Sequence, residues 1–178
     1  MDQREIHKAY ISLGSNIEDR MQFLTNGVNS LAKIAVEPII SSAVYETTSV
    51  GPVVQSDFLN LVVELNTTFT SRALLRYLLD IELENHRERK IRFGPRTLDM
   101  DILLYDNIYV CNQDLQIPHQ RMWERAFVLV PLAELAPNRR GLGGETIMML
   151  AKKSLAKGVG EGDVRYVGRF WQKASGLS

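Results

Sequence analysis

The chain has 178 residues, of which 45% are hydrophobic and 24% charged, and its formal net charge at pH 7 is zero. This composition is typical of one globular domain with a sizeable core, and it argues against disorder and against a general nucleic-acid binder, which would be basic. The single cysteine, Cys111, excludes an internal disulfide, and neither a signal-peptide core nor an apolar run of ~18 residues is present. We therefore expect a cytoplasmic protein without a membrane segment.

Hydrophobic periodicity predicts alternating strands and helices in the first half of the chain. Residues 7–13 have a strand pattern, and a turn follows them. Apolar residues then recur at helical spacing from Leu24 to Ala35, which predicts a first helix that ends before Pro38. The next predicted elements are a strand over 39–46, a loop over 47–56 and a strand over 58–65.

The second half begins with another helix and returns to the sheet. Leu74, Leu78 and Ile81 mark this helix, which begins near Ser71 and leads into a basic loop. Further predicted elements are the strand that begins near residue 99, a turn at 106–107, a short return strand over 108–110 and a helix over 126–135. The order β-α-β-β-α-β predicts an α+β fold, with a ferredoxin-like antiparallel sheet flanked by helices in three αβα layers.

The C-terminal segment, residues 138–178, has weaker signals. Its predicted elements are a Gly-rich loop over 139–144, a helix over 146–156, a second Gly-rich stretch over 158–162 and a terminal strand over 164–171. We expect this segment to belong to one domain that spans residues 1–178.

Two aspartates stand two residues apart in an otherwise apolar strand. Asp99 and Asp101 are predicted to point to the same face, with their β-carbons roughly 7 Å apart. Asp is depleted in strands, and two like charges on a partly buried face repel each other. Nearby cations must offset that cost, so the pair predicts either arginine partners or divalent metal ions.

A basic segment lies directly upstream of this pair. Five cations fall within ten residues, namely Arg87, Arg89, Lys90, Arg92 and Arg96. Guanidinium groups bind phosphate oxygens in a fork geometry, and carboxylates hold Mg²⁺ ions that also bind phosphate. The segment and the aspartates together indicate a triphosphate site, although a solvated basic loop with structural ion pairs would produce the same pattern.

The two aspartates and Arg96 belong to one string, Gly94-Pro95-Arg96-Thr97-Leu98-Asp99-Met100-Asp101-Ile102-Leu103. This string closely resembles the signature of the 6-hydroxymethyl-7,8-dihydropterin pyrophosphokinase family of the folate pathway. Other motifs similar to those of the family follow in the expected order, and the resemblance spans residues 9–137. They are Leu13-Gly14-Ser15-Asn16, Tyr45-Glu46-Thr47, Gly51-Pro52, Asp57-Phe58-Leu59-Asn60, Ile117-Pro118-His119 and the predicted helix with its continuation over 127–137.

The resemblance implies that diphosphate passes from ATP to the 6-hydroxymethyl group of the dihydropterin, with AMP as the second product. It implies that Asp99 and Asp101 hold two Mg²⁺ ions, and that the catalytic residues are Asp99, Asp101, Arg87, Arg92 and Arg96. The ATP contacts that it implies are Glu82, Arg87, Arg96, Ile102, His119 and Arg125. The expected partners are these two small-molecule substrates, without nucleic acid or membrane, and the expected state is a monomer.

The pterin pocket is indicated by alternation in the third strand. Leu59, Leu61, Val63 and Leu65 form a core stripe, so Phe58 and Asn60 face the other way. An aromatic ring beside an amide suits a flat heterocycle, although a phenylalanine on a strand more often packs in a core. The pterin contacts that the resemblance implies are Thr47, Val50, Phe58, Asn60 and Phe127.

Two other function classes remain open from the residues alone. A non-catalytic ferredoxin-like module could bind RNA or a regulatory ligand, but an RNA-binding sheet would carry basic and aromatic residues where this chain has Asp99 and Asp101. A different ATP-dependent small-molecule kinase would also use an arginine loop and a metal pair. The chain has no Gly-x-x-x-x-Gly-Lys-Ser/Thr string, which argues against P-loop kinases.

Overall fold

The computed structural model describes residues 4–49, 51–86, 97–157 and 163–170. Its strands are β1 (His7–Ser15), β2 (Ile40–Ser41), β3 (Val44–Thr47), β4 (Phe58–Thr67), β5 (Asp99–Tyr105), β6 (Val110–Cys111), β7 (Gln116–Ile117) and β8 (Val164–Gly168). Its helices are α1 (Arg20–Ala32), α2 (Ser71–Glu84), a 3₁₀ turn (Met122–Glu124), α3 (Ala126–Leu135) and α4 (Ile147–Lys157). In the described part of the chain, no helix is long and apolar enough to span a bilayer.

The main sheet is antiparallel and has the strand order β5-β1-β4-β3-β8, with β2 paired to β4 beside β3. Strand β1 thus lies between β4 and β5. These are the third and fourth strands of the β-α-β-β-α-β unit when β2 and β3 are counted as one, and ferredoxin-like sheets have the same order. The predicted α+β class is confirmed. Strands β6 and β7 form a separate two-stranded ribbon.

Helices cover both faces of this sheet. On one face, Leu24 and Leu31 of α1 and Leu74 and Leu78 of α2 pack in one apolar cluster with the inward residues of β1, β4 and β5. On the other face, Leu129 of α3 and other buried residues of α3 and α4 pack in a second cluster. We call these the α1/α2 face and the α3/α4 face. Burial of apolar area on both faces is the main stabilising term for such layers.

A bulge in β5 decides which of its side chains point to which face. Tyr10 pairs with Leu104 but Ile11 pairs with Ile102, so Leu103 is the extra residue. Ile102 therefore belongs to the α1/α2 cluster, whereas Leu103 and Leu104 both belong to the α3/α4 cluster. Upstream of the bulge, simple alternation holds.

The predicted second strand, 39–46, was wrong as one continuous element. It splits into β2 and β3 because Ser42 replaces a main-chain acceptor with its own side chain. The Ser42 amide donates to the Val62 carbonyl at 2.8 Å, while the Val62 amide donates to Ser42 Oγ at 2.9 Å. The next amide, of Ala43, donates to Glu134 Oε2 of α3 at 2.8 Å instead of to the sheet.

Four other predicted boundaries also differ. The return strand over 108–110 was wrong, because the Ile108 amide donates to the Tyr105 carbonyl in a turn and β6 begins only at Val110. The first helix ends at Ala32, and Ala35 instead forms a bridge to Thr67 of β4. The terminal strand, predicted over 164–171, ends at Gly168, and residues 169 and 170 are outside it. The helix over 126–135 is confirmed, and the helix predicted over 146–156 is shifted by one residue.

Replacing Ser42 by alanine should destabilise the fold. Ser42 is fully buried, so the Val62 amide would lose its partner without gaining water. We expect the free energy of unfolding to fall by about 1–3 kcal/mol in Ser42→Ala, measured by urea denaturation. The matched control is Ser41→Ala, since the Ser41 hydroxyl is only half-buried and bonds to the adjacent carbonyl. Equal stability of the two variants would contradict this account of the strand break.

Candidate active site

The two aspartates lie side by side on the α3/α4 face of β5. Asp99 is directly opposite Gly14, and Asp101 is directly opposite Ser12. The side chain of Asp101 is 40% exposed, so its carboxylate can reach a ligand in solvent. Their predicted placement on one face is confirmed, because Met100 between them points into the α1/α2 core.

The chemistry of this pair fits Mg²⁺. Within residues 4–49, 51–86, 97–157 and 163–170, no group of three or more His, Cys, Asp or Glu side chains could hold a metal by itself. Mg²⁺ is commonly bound by one or two carboxylates, with the remaining positions filled by water and phosphate oxygens. Two neighbouring, partly exposed carboxylates are therefore a suitable protein share of such a site.

His119 lies beside the carboxylates. Its Nε2 is 3.9 Å from Asp101 Oδ1, and its Nδ1 accepts the Arg121 amide at 3.2 Å. The main-chain amide of His119 donates to the Leu103 carbonyl at 2.9 Å, which ties this loop to the bulge in β5. Burial lowers the pKa of His119, and the neighbouring Asp101 partly opposes that effect. A neutral ring that accepts at Nδ1 carries its proton on Nε2, on the side of Asp101.

Asn60 and Thr47 form the other half of the site. Asn60 is buried, and its Nδ2 donates to Thr47 Oγ1 at 2.8 Å. Asn60 lies on the α3/α4 face, because it is two residues from Val62, which belongs to the second apolar cluster. Thr47 lies on the same face, in contact with Asn60. The bond fixes the direction of the amide and leaves the Thr47 hydroxyl proton able to donate elsewhere.

Gly14 lies between these two halves. In the sheet it pairs with Asn60 on one side and with Asp99 on the other. A Cβ added to Gly14 would be 3.0 Å from Asn60 Oδ1 and 3.8 Å from Phe58 Cδ1. Because Gly14 has no side chain, the sheet surface between the Asn60 amide and the carboxylates is open, and a ligand can lie across the strand. We call this surface the floor of the site.

The two predicted stacking rings are on elements that border this floor. Phe58 begins β4 and pairs with Thr47, while Phe127 is in the first turn of α3, and both are half-buried. The guanidinium carbon of Arg125 is 5.6 Å from the centroid of the Phe127 ring, close enough for a cation–π contact. Arg125 therefore lies where α3 begins, beside one of the rings.

Glu82 and Ile102, two predicted ATP contacts, lie on the opposite side of the sheet. Glu82 is buried, and its Oε1 accepts the Met100 amide at 2.8 Å. Ile102 is buried in the α1/α2 cluster. Through these contacts both residues support β5 from its α1/α2 face. Predicted residues outside the described ranges are Val50, Arg87, Arg92 and Arg96.

Sequence reasoning did not single out a polar network beside the site. Arg20 at the start of α1 donates from Nη1 to Glu46 Oε2 at 2.7 Å and to the Asp57 carbonyl at 2.9 Å. Asn16, which is fully buried, donates to Gln55 Oε1 at 2.9 Å and to the Ser56 carbonyl at 3.1 Å. Asn16 belongs to a quoted motif, whereas the sequence pattern gives no signal for Arg20.

Comparison with known proteins shows the family of this chain. The family model for 7,8-dihydro-6-hydroxymethylpterin-pyrophosphokinase (HPPK) matches residues 10–137. The chain belongs to the HPPK family. A 2-amino-4-hydroxy-6-hydroxymethyldihydropteridine pyrophosphokinase from Methylorubrum extorquens is 42% identical over 151 residues, which are 84% of this chain and 92% of that protein. The protein of the same name from Bacillus subtilis is 45% identical over 128 residues, or 71% of this chain and 77% of that one.

Solved structures agree at the level of the fold. The crystal structure of Plasmodium falciparum HPPK-DHPS A437G with SDX-DHP superposes with a TM-score of 0.67 at 16% identity. The match covers 88% of this chain and 47% of that one, so this HPPK-family chain spans about half the length of the chain in that structure. At this identity the likeness supports the architecture alone.

Replacing Gly14 by alanine should impair the HPPK reaction. The new Cβ would lie 3.0 Å from Asn60 Oδ1, so the amide must move away from its position over the floor. We expect kcat/KM for the dihydropterin to fall at least ~10-fold, because small misplacements of a positioning group are costly. The measurement is steady-state kinetics at saturating ATP and Mg²⁺.

The control for this change is Gly143→Ala. A Cβ there would meet nothing within 4 Å, and we expect kinetics like those of the unmodified protein. If Gly14→Ala also retained full kcat/KM, the floor between Asn60 and Asp99 would not be part of the site.

Proposed function

We propose that the chain transfers diphosphate from ATP to the 6-hydroxymethyl group of 7,8-dihydropterin in folate biosynthesis, with AMP as the second product. The observation that carries this proposal is the row Asn60–Gly14–Asp99 across three paired strands of an HPPK-family chain. The row provides an amide for a heterocycle and Asp99, one carboxylate of the pair for a metal–triphosphate, separated only by Gly14, which has no side chain.

The dihydropterin would bind over the amide end of this row. Asn60 would read the ring edge with its amide, held by Thr47, and the half-buried rings of Phe58 and Phe127 would stack on the heterocycle. The family resemblance adds Val50 to this set. Stacking and two-sided hydrogen bonding together would orient the hydroxymethyl group toward β5.

The triphosphate would bind over the carboxylate end. Asp99 and Asp101 would hold Mg²⁺, two ions by the family resemblance, and the bound metal would supply positive charge to neutralise the phosphate oxygens. His119 lies beside these carboxylates and Arg125 at the start of α3, and both would contact ATP. The resemblance adds Arg87, Arg92 and Arg96 as phosphate contacts, and Glu82 and Ile102 would act mainly by supporting β5.

The reaction would then require little covalent participation by the protein. The hydroxymethyl oxygen attacks the β-phosphorus of ATP and releases its proton to water, the bond from that phosphorus to the α-phosphate bridging oxygen breaks, and AMP leaves. Positioning and electrostatic stabilisation are the main contributions a protein makes to such transfers. Both substrates would be held on one sheet face, close enough for direct transfer.

We further propose that the protein acts as a cytoplasmic monomer. The amide, the rings and the carboxylates all come from one chain, so the proposed site needs no partner subunit. Cys111 is exposed as a free thiol, which suits a reducing compartment. Light scattering after size-exclusion chromatography would give the mass in solution, and a dimer mass would contradict the monomer.

Product analysis tests the proposed reaction. Purified protein is mixed with ATP, MgCl₂ and 6-hydroxymethyl-7,8-dihydropterin, with an EDTA control. We expect AMP and the pterin diphosphate in equal amounts, and neither with EDTA. ADP as the nucleotide product would instead indicate a kinase that transfers one phosphoryl group.

Asp99→Asn and Asp101→Asn should each lower kcat by at least ~10²-fold, by analogy with the loss of one major electrostatic stabiliser. The amide has nearly the same shape as the carboxylate but not its charge, so the metal would be bound weakly. Asp114→Asn is the control, because the Asp114 side chain is 62% exposed and pairs with Arg72 of α2, the helix on the opposite face of the sheet from the proposed site. Near-normal turnover in both site variants would refute the assignment of this pair.

A further inference from the structure

Strand β8 lies beyond the part of the chain that the HPPK model matches, residues 10–137, yet it joins the sheet beside the proposed site. It pairs antiparallel with β3, where Val164 is opposite Thr47 and Arg165 is opposite Glu46. The Thr48 amide also donates to the Asp163 carbonyl at 3.3 Å. An added strand thus covers the outer edge of the strand that carries Thr47.

The side chain of Arg165 connects both ends of one loop. We define the substrate loop as residues 48, 49 and 51–57, which join β3 to β4. Arg165 Nη2 donates to Asp57 Oδ2 at 2.8 Å and to Glu46 Oε1 at 3.2 Å, while its Nη1 donates to Thr48 Oγ1 at 3.3 Å. A planar guanidinium can make these contacts at once, whereas an ammonium presents one point charge.

The residues that Arg165 holds are next to the proposed pterin contacts. Glu46 directly precedes Thr47, and Asp57 directly precedes Phe58. Thr47 and Phe58 are themselves opposite each other in the sheet. Arg165 therefore bridges, at the outer edge of the sheet, the two residues that directly precede these proposed pterin contacts.

Glu46 is held from two sides. Arg20 of α1 contacts one of its oxygens and Arg165 contacts the other. These hydrogen bonds, first that of Arg20 and then that of Arg165, lower the pKa of the Glu46 carboxyl, so it stays ionised at neutral pH. Because Arg20 remains when Arg165 is removed, the loop would loosen without loss of the whole network.

Aromatic contacts hold β8 from its other face. The Tyr166 ring packs edge-on against Tyr45, with centroids 6.0 Å apart. The Tyr45 hydroxyl donates to Glu134 of α3. The strand is thus tied to the helix that carries Phe127, and its backbone would stay in place when the Arg165 side chain is shortened.

Resting on the proposed pyrophosphokinase function, we propose that Arg165 is a positioning residue that holds the substrate loop and so sets the affinity of the site for the dihydropterin. The Arg165 side chain is 43% exposed, so its ion pairs contribute little to global stability. Their effect falls instead on the order of the loop.

Kinetics separate positioning from general damage. In Arg165→Ala we expect KM for the dihydropterin to rise about 3- to 10-fold, as the loss of a few exposed contacts allows. We expect kcat and KM for ATP to stay within about twofold, since neither quantity depends on how the substrate loop binds the dihydropterin. Arg165→Lys should recover only part of the affinity, because it keeps the charge but not the fork. The matched control, Arg169→Ala, removes an exposed arginine from the same segment and should change none of these values.

Amide hydrogen exchange tests the same inference without any turnover. Arg165→Ala should speed exchange in residues 51–57 while β1 and β4 keep their protection, and Arg169→Ala should not. If the unmodified protein fails to make the pterin diphosphate but this exchange result holds, the proposed reaction fails and the loop contact stands. Unchanged exchange and unchanged KM in Arg165→Ala would overturn the inference. A fall in kcat together with an equal rise in KM for both substrates would also overturn it.

Discussion

The antiparallel register of β1 with both of its neighbours is the constraint on which the proposed site depends. It sets Gly14 opposite Asn60 on one side and Asp99 on the other. A slip of one residue in either pairing would turn the amide or the carboxylates to the opposite face. The register is held by apolar burial, since Ala9, Ile11 and Leu13 of β1 must stay in the α1/α2 core.

The β5 bulge allows one face of the strand to carry both carboxylates and large apolar side chains. The α3/α4 cluster needs large apolar side chains from β5, while the proposed metal site needs carboxylates on that same face. Upstream of Leu103 the strand presents Asp99 and Asp101, and at the bulge both Leu103 and Leu104 enter the α3/α4 cluster. The polar end of the face thus adjoins a well-buried end, and His119 is bonded to the Leu103 carbonyl at the boundary between them.

The sequence was informative wherever periodicity or a motif carries the signal. Alternation predicted that Asn60 faces away from the Leu61 core stripe, and the two-residue spacing predicted a shared face for the aspartates. It could not predict the break at Ser42, because a side chain that replaces a main-chain acceptor leaves no periodic trace. A terminal strand was foreseen, but its pairing with β3 through Arg165 depends on contacts more than one hundred residues apart in sequence.

The most direct test is a crystal structure of the protein with dihydropterin, Mg²⁺ and a non-hydrolysable ATP analogue. We expect the pterin ring between Phe58 and Phe127 with its edge on Asn60, the triphosphate at Asp99 and Asp101, and the hydroxymethyl oxygen above Gly14, facing the β-phosphorus. A pterin or a triphosphate bound away from the α3/α4 face of β1, β4 and β5 would contradict the account.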